Sequence, residues 1–383
     1  MMNITTPLLV MRWILCLTLL SGCSDSSKKT DNQAINEATA SAVEVTTDAH
    51  VAHILCDEVH GVKPVCGFKN PEDLAVVPGG DLLLVSEMAT FMSDDPGTLS
   101  FLNVSNDQRS AAEFVWNNDG DEWGDVGCVS PDPARLSPHG IDLITRTDGR
   151  HQLLVVNHGR EVIEFFELVK VVENWQLRWK GCANPKDDLF MNDVAGLIDG
   201  GFFVTNMWIK STPFDEVVAK ITAGEKIGWV LEWHQQTGFV KVPGSDEQMP
   251  NGIAVSRDNS KIFVNIYMAN KTIKVDRATN QVEAEMSVRS PDNVVVDDDG
   301  NLWVASHLND PIEGRCEDNH PGPCLLPFQI VKADPQTMLL EVVFKHDGEP
   351  MGYATVGLPH RGRLYLGTAS GDRLASVAIS DAN

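Results

Sequence analysis

Five side chains that can hold a hard cation or move a proton recur at one place in the chain's local pattern. Glu72, His139, Asn192, Asn251 and Asp292 each stand just ahead of a short apolar run, and Gly352 holds the matching place in a sixth segment. Two carboxylates and two amides, with Asn293 alongside, are hard oxygen donors. Such donors suit Ca²⁺, which takes about 6–8 oxygens, rather than zinc or copper. His139 adds an imidazole, the side chain with an unperturbed pKa near ~6.5, suited to proton transfer around neutrality. Asp73 and Asp193 each follow one of these residues and could hold another ion. An asparagine ahead of a strand is by itself an ordinary turn former. The weight lies in the recurrence of oxygen donors at one offset.

That offset requires elements that repeat. Each polar residue leads into an apolar strand, a turn and a second apolar strand: Leu74 to Val77 then Leu82 to Val85, Ile141 to Ile144 then Leu153 to Val156, and Val194 to Ile198 then Phe202 to Val204. The pattern continues with Ile253 to Val255 then Ile262 to Val264, Val294 to Val296 then Leu302 to Val304, and Ala354 to Val356 then Leu364 to Leu366. Turns rich in Gly, Asp and Asn separate the strands, as in an all-β protein. Six such units predict a six-bladed β-propeller, whose closed ring removes exposed sheet edges. In a propeller the first strand of each blade lines the central channel. The residues ahead of those strands then converge at its mouth.

The segments Pro-Glu-Asp-Leu at 71–74, Ser-Pro-His-Gly-Ile at 137–141, Leu-Val-Val-Asn-His at 154–158, Asn-Asp at 192–193, Asn-Gly-Ile at 251–253 and Asp-Asn at 292–293 occur in that order. Together they resemble the paraoxonase/arylesterase family, over about residues 66 to 370. The resemblance implies a six-bladed propeller with two channel calcium ions that hydrolyses lactones and aryl esters. It implies a catalytic calcium held by Glu72, Asn192, Asn251, Asp292 and Asn293. It implies a structural calcium held by Asp73, Asp193 and the backbone carbonyl of Ile141. His139 and His158 match the family's histidine pair, and His307 matches a further pocket histidine. On this reading calcium polarises the ester carbonyl, His139 is the general base for water, and His158 orients it or relays the proton.

The chain also departs from that pattern. After Thr205-Asn206 the family commonly has Asp-His, whereas this chain has Met207-Trp208, which predicts a more apolar pocket wall. The family's disulfide between the two chain ends has no counterpart, because the last cysteine is Cys324. Two other readings remain open: a gluconolactonase-type sugar lactonase using one ion, and a non-catalytic binding propeller stabilised by calcium. No Gly-x-Ser-x-Gly elbow and no His-Glu-x-x-His motif is present, so neither a serine esterase nor a zinc protease is indicated.

The N-terminus carries Met11-Arg12, an apolar run from Trp13 to Leu20, and Leu20-Ser21-Gly22-Cys23. A basic residue, a short apolar run and small residues form a secretory signal. The run is too short to span a bilayer. The Leu-Ser-Gly-Cys ending resembles the bacterial lipobox. It predicts a signal peptide over 1–22, a lipid-bearing Cys23, a polar tether over 23–50 and a propeller over 51–383. Ser24, in place of Asp, points to the outer membrane, with the domain periplasmic or surface-facing. Six cysteines remain in the mature chain, which in an exported protein suggests disulfides. Fifteen pairings are possible, and sequence proximity favours Cys56–Cys66 and Cys316–Cys324, leaving Cys128–Cys182. No Cys-x-x-Cys pair supports zinc. Hydrophobic residues at 43% allow a packed core, and a net charge of −24 excludes nucleic acid as a natural partner while attracting cations. The expectation is a monomer acting on a small-molecule lactone or ester.

Overall fold

Six antiparallel sheets arranged around one axis account for nearly all regular structure in the computed structural model. The structure describes residues 54–379, except 89, 91, 92, 94, 118, 119, 313–315 and 317–321. The signal peptide, Cys23 and the tether lie outside the described residues.

The strand pairs read from the sequence are the first two strands of each blade. The first, innermost strands are Pro71–Val76, Pro138–Thr145, Leu189–Gly196, Pro250–Val255, Pro291–Val296 and Ala354–His360. They contact one another in sequence order, and the last returns to the first, so the ring is closed. The second strands read Leu-Leu-Leu-Val, Leu-Leu-Val-Val or Phe-Phe-Val without alternation. The reason is that a blade is covered on both faces by its neighbours, so both faces must be apolar. Six interblade cores result. One packs Leu84, Leu99 and Phe101 of blade 1 against Ile141, Val155 and Phe166 of blade 2. Another, closing the ring, packs Leu74 and Val85 against Val356 and Tyr365 of blade 6.

Closure also uses the chain's beginning. The strand Val62–Cys66 forms the outer edge of blade 6, antiparallel to Arg373–Ala378, with Val62 opposite Val377 and Cys66 opposite Arg373. Buried Arg373 donates to the carbonyls of Ile54 and Leu55, holding the segment that precedes the strand. The disulfide Cys56–Cys66 fastens the same segment, and Cys128–Cys182 and Cys316–Cys324 are the other two. These are the pairings that sequence proximity favours.

Two features depart from a plain repeat. Blade 2 carries a fifth strand, Glu113–Val115, parallel to its outer strand Asn174–Ala183. Between the second and third strands of blade 3 lies the helix Phe214–Thr222, with Asp215 and Glu216 in its first turn, Lys220 in its last, and Val217 and Ile221 buried. Acid at the start and base at the end complement the helix dipole. Among the described residues no helix is long and apolar enough to cross a membrane.

Candidate active site

One backbone device places the site residues. In every blade the pairing of the first strand with the second shifts register near its start. The residues passed over are Glu72, His139 with Gly140, Asn192 with Asp193, Asn251 with Gly252, Asp292 with Asn293, and Thr355. A bulge releases residues from the ladder and re-aims their side chains. It is how adjacent residues such as Asp292 and Asn293 both serve one channel. In blade 6 the bulge falls on Thr355, which corrects the reading of Gly352 as the sixth ring position. Gly352 lies before the strand, with its N–H bonded to the carbonyl of Cys324.

Neighbouring blades then hold the ring residues by their carbonyls. Ser86 Oγ donates to the carbonyl of His139 at 2.6 Å, Thr205 Oγ1 to that of Asn251 at 2.6 Å, and Thr355 Oγ1 to that of Glu72 at 2.6 Å. Asn265 Nδ2 donates in the same way to the carbonyl of Asp292. The His-Gly-Ile and Asn-Gly-Ile motifs have a steric cause. A Cβ on Gly140 would stand 2.6 Å from Cα of Asp193, and one on Gly252 would stand 2.6 Å from Cα of Asn293. Only glycine lets the next blade's paired polar residues approach so closely.

The structure brings the predicted residues together, all of them buried: Glu72 is 1% exposed, Asn192 2%, His139 3%, Asn251 4% and Asp292 7%. Asn293 Nδ2 donates to Glu72 Oε1 at 2.8 Å, and His139 Nε2 lies 3.7 Å from the same oxygen. Asn192 Nδ2 stands 3.5 Å from His139 Nε2 and 3.3 Å from Met207 Sδ. Asp73 and Asp193 sit one step along in equivalent clasps. Each accepts the N–H of its own next residue at 2.8 Å and an N–H from the following blade, Ile141 or Ile253, also at 2.8 Å. It is thus the N–H of Ile141 that binds Asp73. Below them the channel opens into a cavity of about 580 Å³, where apolar residues of the innermost strands alternate with polar ones such as Asp142, Thr145, Ser256, Arg257 and Asn259.

Burial dominates the electrostatics. It raises the Glu72 carboxyl well above its usual range, and repulsion from Asp73, Asp292 and Asp193 raises it further. Burial likewise raises Asp73 to about 7 and Asp292 to about 8, and drives Asp193 well up with the help of Asp73. The imidazole of His139 is pushed well below its usual value by burial and then by His158, so it is neutral at pH 7. Burial takes His307 down to about 3.

Whether these residues suit a cation can be asked of individual atoms. Glu72 Oε2, Asn192 Oδ1, Asn251 Oδ1 and Asn293 Oδ1 are buried acceptors without a hydrogen-bond partner. A buried unsatisfied polar atom costs about 1–3 kcal/mol. All four are oxygens, and all four belong to the five side chains proposed for one ion. A hard cation would satisfy them together. Among the described residues no group of three His, Cys, Asp or Glu side chains is arranged as a metal site. Three of the four orphaned oxygens belong to asparagine amides, which lie outside those side-chain types.

The remaining predicted residues form a second ring. In blades 1 to 5 the second-strand residues Val85, Val155, Val204, Val264 and Val304 face Leu74, Ile141, Val194, Ile253 and Val294. Three residues further on stand Met88, His158, Met207, Tyr267 and His307, all buried. His158 Nε2 lies 2.7 Å from His139 Nδ1, and its ring stacks on Phe190 at 4.8 Å. His307 lies 3.6 Å from Asp292 Oδ2, shares a 2.9 Å hydrogen bond with Tyr267 and stacks on Tyr353 at 3.9 Å. Met207 reaches the ring, whereas Trp208 is packed behind it with Phe190, Val217 and Ile221 under the blade 3 helix. Sequence reading passed over Tyr267 and Glu161. Tyr267 shares the repeat offset of His158 and His307, a signal available in the sequence. Glu161, whose Oε1 lies 2.8 Å from His158 Nδ1, has only its spacing of three residues from that histidine.

Comparison with known proteins places this geometry in context. A family model described as Arylesterase matches residues 58–374. Serum paraoxonase/arylesterase 2 of Homo sapiens is 24% identical over 318 residues, which is 78% of this chain and 82% of that protein. Serum paraoxonase/arylesterase 1 of Mus musculus is 24% identical over 327 residues, 82% of this chain and 86% of that one. Among solved structures, a gluconolactonase from Xanthomonas campestris superposes with a TM-score of 0.51 at 14% identity, covering 83% of this chain and 89% of its own. A luciferin-regenerating enzyme does so with a TM-score of 0.50 at 13% identity, covering 83% and 94%. At those identities the structural likeness concerns the fold.

Proposed function

This chain belongs to the arylesterase family, and from that premise we propose that it is a calcium-dependent hydrolase of lactones or aryl esters. The observation that carries the reading is the convergence of four unsatisfied buried oxygens beside one neutral imidazole. Glu72, Asn192, Asn251, Asp292 and Asn293 would hold one ion. Asp73, Asp193 and the Ile141 carbonyl would hold a second. When bound, calcium supplies Lewis-acid polarisation of the ester carbonyl and stabilises negative charge on its oxygen.

The chain's own residues supply the rest. His139 Nε2 takes a proton from water, whose oxygen adds to the carbonyl carbon. The bond from that carbonyl carbon to the ring oxygen of a lactone, or to the aryloxy oxygen of an aryl ester, then breaks, and the proton passes from His139 to the departing oxygen. His158 holds His139 through its Nδ1 while this happens. Buried His307, held by Tyr267 and Tyr353, braces Asp292. Met207 presents a sulfur and methyl group where the family commonly has a carboxylate, which favours an apolar acyl or aryl group over a sugar. We read the N-terminal segment as a lipoprotein signal with Cys23 lipidated, which would keep a monomeric enzyme at a membrane surface.

The test is turnover of a panel of aliphatic, aromatic and sugar lactones and phenyl acetate, with divalent ions chelated and then restored. Activity lost on chelation and recovered with Ca²⁺ supports the proposal. A folded, calcium-loaded protein that turns over no ester would overturn it, and strict preference for sugar lactones would move it to the gluconolactonase reading.

A further inference from the structure

The hydrogen bonds around His139 extend beyond the two histidines. His139 Nδ1 lies 2.7 Å from His158 Nε2, and His158 Nδ1 lies 2.8 Å from Glu161 Oε1. That same oxygen accepts a 3.0 Å hydrogen bond from Lys210 Nζ, which comes from blade 3. Proton positions follow in order. A carboxylate oxygen only accepts, so in the neutral imidazole of His158 the proton sits on Nδ1 and Nε2 is bare. The bare His158 Nε2 then accepts from His139, so the proton of His139 is on Nδ1. His139 Nε2 is left as a lone pair facing the ring. Asn192 agrees, since its amide nitrogen points both at His139 Nε2 and at Met207 Sδ, two acceptors.

We propose that Glu161 is a positioning residue that sets the tautomers of His158 and His139, so that His139 offers an unprotonated Nε2 to the substrate. Two further observations describe the place of Glu161. Its backbone is left-handed, with φ of 48°, a conformation that costs a non-glycine residue free energy and gathers at functional sites. Its side chain is also largely buried, 14% exposed, between two blades. Glycine would relieve the backbone at this turn, yet a glutamate stands there. Lys210 anchors the carboxylate from across the interblade seam and so fixes the direction of the chain of hydrogen bonds. The inference rests on the hydrolase reading for its kinetic consequence and not for the tautomers themselves.

The experiment uses the full chain with Ca²⁺ and two variants. Glu161→Gly removes the carboxylate while relaxing the backbone, so folding is not at stake. Glu161→Gln keeps an accepting oxygen. Nitrogen-15 imidazole spectra read the tautomers, and kcat and KM are taken on the best lactone. The expected result is both imidazoles protonated on Nδ1 in the wild type and in Glu161→Gln. Glu161→Gly should show mixed tautomers, and a kcat lower by about ten- to a hundred-fold at unchanged KM. Unaltered tautomers in Glu161→Gly would overturn the inference, whether or not the protein hydrolyses any ester. Altered tautomers with unchanged kcat would overturn it as well, by removing the link to His139 as base.

Discussion

Asn293 of blade 5 donates a hydrogen bond of 2.8 Å to Glu72 of blade 1, across 221 residues of sequence and past the intervening blade 6. At this level the channel is narrow enough for side chains of non-adjacent blades to meet. One amide and one carboxylate therefore each keep an unsatisfied oxygen in the same buried space, Asn293 Oδ1 and Glu72 Oε2.

Replacing either oxygen should weaken cation binding. Asn293→Ala and Glu72→Gln are expected to lower calcium affinity by at least about tenfold, the charge-removing change having the larger effect. Calorimetric titration of each variant with Ca²⁺ checks this. Wild-type affinity in both would remove these residues from the ion's shell.

His139→Gln should lower kcat by about 10²- to 10⁴-fold, the range for loss of a general base. Calcium affinity should be retained, because the imidazole is beside the oxygen set and not part of it. Equal kcat in the variant and the wild type would end the base assignment.

The buried carboxyls link stability to pH when the ion is removed. Asp73 and Asp292 are raised to about 7 and about 8, against about 4 in an unfolded chain. The folded state without the ion then holds protons that the unfolded state has lost. The stability these two groups contribute is full below about pH 4 and is lost as pH climbs through 7 and 8. Chelated protein should therefore melt at progressively lower temperature from pH 5 to pH 8, and added Ca²⁺ should flatten the trend. A melting temperature rising over that range in chelator would contradict it.

Gly140→Ala should disturb the site by packing alone. The added methyl would press on Cα and Oδ1 of Asp193, at 2.6 and 2.5 Å. Overpacking of this kind costs about 1–3 kcal/mol. A denaturation midpoint unchanged in calcium would show that the blades have slack here.

Lipidation is testable on its own. Cys23→Ser should abolish lipid labelling and detergent-phase partitioning while leaving lactone turnover intact. Continued labelling of the variant would place the lipid elsewhere.

Read as a linear chain, the sequence determined the six-blade repeat, the inner strand pair of every blade and five of the six ring residues. It could do so because every blade is the same local unit, so a residue's place in the ring is an offset from its own strand. Two of the disulfides followed from proximity, and Cys128–Cys182 was the pair that remained. Only the tertiary structure decided which residues face one another. The bulge that turns Asp292 and Asn293 into one channel is a matter of register with the neighbouring strand. The same is true of Thr355, where the sequence suggested Gly352. The helix Phe214–Thr222 is one local amphipathic segment in an all-β chain, and packing against Phe190 and Trp208 holds it. Glu161, itself in a left-handed backbone conformation, meets His158 across a tight turn, and Lys210 joins them from another blade. Local propensity records the strand and its offset. Contacts between segments far apart in the chain set register, bulge and hydrogen-bond direction, and those contacts exist only once the ring has closed.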